Sequence, residues 1–224
     1  MFGKMPRWRL FKIWGNEIFM EPVFLALIAF FVFSGVNNSA QLVSGLLIAP
    51  VLFFGLLWHE LGHAITTKKM GYGNSQIVMQ GMGAVAISRR PANTPPKKAA
   101  LISVMGPLFS LSITLVFGLI YAFVPMGEIP LLKEFVYKMA MYNGVWAVFN
   151  LLPINPLDGG HIMLAGFRGL FKNDRKAYLT TAYVSLGVLA VLALVANAYI
   201  GFMGIIIAVM VGFTNIQIIQ QLKS

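Results

Sequence analysis

Residues 22–36, 42–58, 99–124 and 179–196 contain no charged side chain. They run about as long as the ~17–25 residues that cross a hydrocarbon core as a helix. In lipid every backbone N–H and C=O must find its partner inside the protein, and for runs of this length the helix is what provides it. The expected fold is therefore an all-α polytopic membrane protein. Only 11% of the 224 residues are charged and 58% are hydrophobic, against roughly 25% charged in an average soluble domain. Six spans are expected, at about 22–37, 42–67, 99–124, 135–166, 178–196 and 199–221. The fourth is too long for one straight crossing and is interrupted by Pro153, Pro156, Gly159 and Gly160. It reads as a broken helix, tolerated where protein covers the freed backbone groups, and such breaks line sites.

Two segments outside the spans carry their own signals. Residues 1–21 mix Lys4, Arg7, Arg9 and Lys12 with aromatics, which suits a headgroup-level position and a short strand within 10–19. Residues 73–90 read as a hairpin, with apolar runs at 75–79 and 84–88 around Gln80-Gly81-Met82-Gly83. Its edge is either a strand on which an unwound substrate pairs or a plain interfacial hairpin. Glu21, before Pro22 at the mouth of the first span, either caps that helix or gates entry, and capping is the expected use.

Lys and Arg concentrate in 1–21, 68–98 and 168–176, whereas 37–41 and 197–199 have none and Lys133 and Lys138 are offset by Glu128 and Glu134. The positive-inside rule then puts both termini, and the small β element, on the cytoplasmic side. The formal charge of +10 is accounted for by topology, so no nucleic-acid partner is expected. The first span, with its basic flank, is expected to be retained rather than cleaved. The lipid bilayer is the surrounding medium and the cell membrane of a prokaryote the expected location. The whole of 1–224 reads as one membrane-embedded domain.

The chain has no cysteine, which leaves nitrogen and oxygen as metal donors. Two of its three histidines stand in His59-Glu60-Leu61-Gly62-His63. On a helix, positions four apart share a face, so both imidazoles reach one ion while Glu60 approaches a water beside it. Ionisable groups inside an apolar span are costly unless paired or metal-bound. A catalytic zinc has three protein ligands and an open position. Asp158 is the third ligand by elimination, because the other aspartate, Asp174, lies among Arg168, Lys172, Arg175 and Lys176. Depth agrees: His59 is nine residues before Lys68 and Asp158 ten before Arg168, roughly 14–15 Å inside the same border at helical rise. Zinc, one per chain, suits this donor set better than iron or cobalt.

The His59–His63 motif, followed by Asn150-Leu151-Leu152-Pro153-Ile154-Asn155-Pro156-Leu157-Asp158-Gly159-Gly160, resembles the site-2 protease family of intramembrane metalloproteases over about residues 10–220. The resemblance implies a three-helix catalytic core, zinc on two histidines and the aspartate of Asp-Gly, and cleavage of a transmembrane segment of a protein or peptide substrate, as in regulated intramembrane proteolysis. It implies Glu60 as general base and Asn150 as a residue that holds the substrate or its oxyanion. Gly106-Pro107-Leu108-Phe109-Ser110 is similar to the family's Gly-Pro element, with Ser110 where many members have Asn, which leaves position 110 open. His161 is either a partner of a ligand or a histidine bonded to backbone. No PDZ or CBS domain of the kind found in some members is expected. An ion transporter would need neither a base at Glu60 nor a motif in only one half of the chain, and an inactive scaffold would not keep ligands and base intact.

Overall fold

The computed structural model describes residues 6–34, 36–127, 129–196 and 201–223, with side chains for all but 194–196 and 201–207. Lys4, Glu128 and the turn at 197–199 lie outside the described residues. Two strands, β1 (Trp8–Ile13) and β2 (Asn16–Met20), precede α1 (Pro22–Phe33), α2 (Ser39–Leu46) and α3 (Ile48–Thr67). Then come β3 (Gln76–Gln80), β4 (Gly83–Ile87), α4 (Pro96–Phe123), α5 (Pro130–Asn150), α6 (Asp158–Phe171), α7 (Asp174–Ala196) and α8 (Gly201–Lys223). The chain forms two compact units, Met1–Pro91 with Met105–Ala147, and Ala92–Val104 with Val148–Ser224.

In the first unit the amino-terminal segment is a hairpin rather than the single strand expected. Trp14 at φ 48° and Gly15 at φ 91° are both left-handed, the backbone of a two-residue hairpin turn. A tryptophan resists that conformation, and tertiary contacts hold it: its ring meets Trp58 edge-on at 6.4 Å, and its carbonyl accepts a 3.0 Å bond from Lys68 Nζ. The expected hairpin at 73–90 is present as β3 and β4, turning at Gly81 and Met82. The two hairpins join through a parallel pairing of β2 with β3 into one sheet, ordered β1-β2-β3-β4. Among the described residues β3 is paired on both sides, so β4 is the strand of the expected hairpin with an unpaired edge. Buried Asn16 accepts from the Ser75 backbone N–H at 2.8 Å and fixes the join.

One sheet face supplies Ile18, Ile77 and Met79 to a core completed by Phe24 and by Leu56, Leu57, Leu61 and Ala64 of α3. At about 100° per residue, Leu57 stands some 200° round the helix from His59 and Leu61 some 200° from His63, while Leu56 lies within about 60° of both histidines, so the sheet packs on α3 beside the face that carries them. Pro50 has no N–H to give Leu46, which separates α2 from α3. Glu21 departs from the capping expectation: its side chain makes no cap bond and faces Arg7 at 3.6 Å instead.

Among the described residues three helical stretches are long and apolar enough to cross a membrane: Ser39–Tyr72, which takes in α2, α3 and the turn after them, Pro96–Phe123 and Asp174–Ala193. They match the second, third and fifth expected spans. The first is shorter than expected, because α1 has 12 residues, about 18 Å against a core of about 30 Å. The fourth is broken as expected, into α5 and α6 with a turn at 151–157. In the second unit α6 packs on α7 and α7 on α8. Arg168 there pairs with Asp174 at 2.9 Å and donates to the Thr94 carbonyl at 3.3 Å.

Candidate metal centre

The helical spacing of the His59–His63 motif has the expected result. His59, Glu60 and His63 each offer a ligand atom within 4.8 Å of the others, and His59 and Glu60 are buried. The two Nε2 atoms are 3.3 Å apart, with the rings 5.0 Å apart and at 78° to each other. Two nitrogens each 2.0–2.1 Å from a tetrahedral ion stand about 3.3 Å apart. The pair thus fits zinc, and the N/O donor set with no thiolate agrees.

The rings have room because α3 and α4 cross on glycines. A Cβ on Gly106 would collide with the His63 ring and stand 2.7 Å from His59 Nε2. A Cβ on Gly62 would collide with the Met105 carbonyl and stand 2.9 Å from Phe109 Cγ. Small residues that let helix backbones approach are the usual device inside membranes. Pro107, fully buried, follows Gly106 inside α4 and leaves one carbonyl of the preceding turn without its helical donor. Gly106→Ala is expected to push the histidine rings apart and weaken zinc binding by about 100-fold, the upper end of what supporting residues cost. Competition against a chromophoric chelator measures it, and wild-type affinity would contradict the cradle.

Ser110, the position left open by the sequence, lies one turn after Gly106 on the same face of α4. Its fully buried hydroxyl is 3.0 Å from His59 Nδ1. If Nε2 were given to a metal ion, Nδ1 would carry the proton and donate to Ser110 Oγ, a contact that would fix both tautomer and ring orientation. Its spacing of four from Gly106 is the signal that points to it, and it becomes readable only once Gly106 is known to face the rings. Ser110→Ala is expected to lower zinc affinity about 10-fold; the same competition assay would register no change if the hydroxyl only fills space. Trp146 of α5 closes another side, its ring 6.5 Å from that of His59.

Asn150 and Asp158 belong to the second unit. Asn150 closes α5 and is buried, and Asp158 opens α6, partly buried. The glycines after Asp158 answer a close approach: a Cβ on Gly159 would collide with the Leu151 and Leu152 carbonyls, and one on Gly160 would stand 2.5 Å from Asn155 N. Asp174, set aside on sequence grounds, has its carboxylate engaged by the Arg168 guanidinium. His161 is exposed on the first turn of α6.

Residues 126–196 match the family model of peptidase family M50. The chain is 32% identical over 160 residues to zinc metalloprotease MJ0392 of Methanocaldococcus jannaschii, covering 70% of this chain and 44% of that protein. It spans less than half the length of the curated relatives it matches. Among solved structures, the site-2 protease from Methanocaldococcus jannaschii superposes with a TM-score of 0.67 at 24% identity, over 96% of this chain and 95% of that one. At that identity the likeness is one of fold.

Proposed function

Because the chain belongs to the site-2 protease family, peptidase family M50, we propose that it is an intramembrane zinc metalloprotease that hydrolyses a peptide bond in a transmembrane segment of a protein or peptide substrate. The observation that carries this is the convergence of His59, Glu60 and His63 on one face of an apolar helix. His59 and His63 hold one zinc through Nε2, and Asp158 is the third ligand. In support of Asp158, it heads an apolar helix in the family's Asp-Gly pattern, while Asp174 is tied to Arg168.

Zinc bound there supplies Lewis acidity, which polarises a carbonyl and lowers the pKa of water to about 7. Glu60 takes a proton from the attacking water as its oxygen bonds to the scissile carbonyl carbon. The Asn150 amide donates to the oxyanion that develops. The C–N bond then breaks as Glu60 passes the proton to the departing amine. Ser110 keeps the His59 ring in place throughout.

The reading extends to topology. The chain is read as a single membrane-embedded protease domain with six crossings, in the cell membrane of a prokaryote and with both termini and the sheet cytoplasmic. The Lys and Arg content of 68–98 and 168–176 supports that orientation. The test is cleavage of a transmembrane peptide co-reconstituted in liposomes. Cutting inside the apolar segment is expected to stop with 1,10-phenanthroline and return with added zinc. Cleavage that survives chelation would end the metalloprotease reading.

A further inference from the structure

We propose that Ser185 of α7 and Asn215 of α8 are positioning residues for Asp158, holding the turn from which α6 begins. The inference rests on Asp158 being a zinc ligand, as proposed above. The turn at 151–157 contains two prolines that have no N–H, Pro153 and Pro156, and its local bonds are short-range, such as Ile154 N to Leu152 O at 2.7 Å and Leu157 N to Ile154 O at 2.8 Å. Both backbone groups of Asn155 are taken from outside the turn. Its N–H donates to Ser185 Oγ at 2.9 Å, and its carbonyl accepts from Asn215 Nδ2 at 2.7 Å.

Both side chains are fully buried and locked by a second bond. Ser185 donates to the Thr181 carbonyl at 2.8 Å and Asn215 to the Val211 carbonyl at 2.8 Å. Among the described residues, the buried Asn215 Oδ1 has no hydrogen-bond partner. An amide buried at that desolvation cost on an apolar helix is there for its donors. The clamp is tight on the other side too, since Asn155 N and Ile154 O press on Gly160, within 2.5 and 2.6 Å of where a Cβ would be. Asp158 lies three residues beyond the clamped Asn155 and two before Gly160, so a turn released from α7 and α8 lets its carboxylate drift. These two helices lie outside both motifs, yet the geometry makes them the outer support of a ligand, a class of residue whose loss weakens metal sites.

The experiment follows zinc transfer to a chelator, and the visible spectrum of the cobalt-substituted protein, in Ser185→Ala, Asn215→Leu and Ser185→Thr, each alone and with Asp158→Ala. Ser185→Ala and Asn215→Leu are expected to speed zinc loss about 10–100-fold and to alter the cobalt bands. Ser185→Thr, which keeps the hydroxyl, is expected to stay near wild type. In the Asp158→Ala background neither change should add to the loss. Zinc held normally by Ser185→Ala and Asn215→Leu, while Asp158→Ala releases it, would overturn the clamp and leave the protease reading standing. Losses of equal size with and without Asp158 would overturn it as well. Zinc indifferent to Asp158→Ala would bring down the third-ligand assignment and this inference with it.

Discussion

Glu60→Gln is expected to lower the rate of peptide-bond cleavage by about 10²–10⁴-fold, the usual contribution of a positioned general base, while zinc stays near one per chain. Glutamine matches glutamate in size and packs in the same buried place, but its neutral amide cannot accept the proton of the attacking water. The two histidine nitrogens, 3.3 Å apart, are untouched, so the metal should remain. Replacing a buried carboxylate with an amide also removes a desolvation cost, and thermal stability should not fall. The measurement is single-turnover cleavage in liposomes with metal analysis of the same sample. Cleavage within a few-fold of wild type would take the proton-transfer role away from Glu60.

What was legible in the sequence was local in origin. The histidine pair follows from helical spacing alone, and the β3–β4 hairpin from a Gly-rich turn between apolar runs. The break between α5 and α6 follows from Pro153, Pro156 and the glycines. What the sequence hid depends on distant contacts. The left-handed Trp14 runs against its own preference and is held by Trp58 and Lys68, so the first hairpin reads as one strand. The parallel join of β2 to β3 links residues about sixty positions apart. Apolar run length marks candidate spans, but it overstates α1, which ends at Phe33. The sequence also left Ser110 open, because its meaning comes from α4 crossing α3 beside the rings, and the clamp on Asn155 reaches across 30 and 60 residues.

The proposed centre is a three-ligand zinc site whose remaining position serves chemistry, and Asp158 is its least local member. Changes to supporting residues cost metal affinity about 10–100-fold, and removing a ligand should exceed that, since two imidazoles alone leave the ion poorly held. The most direct measurement is the zinc content of detergent-purified wild type beside Asp158→Ala, with Glu60→Gln as the control that keeps all three ligands. About one zinc per chain in wild type and Glu60→Gln, with most of it gone from Asp158→Ala after dialysis, is the expected result. Metal-free wild type, or an equal zinc content in Asp158→Ala, would contradict the site and with it the chemistry built on it.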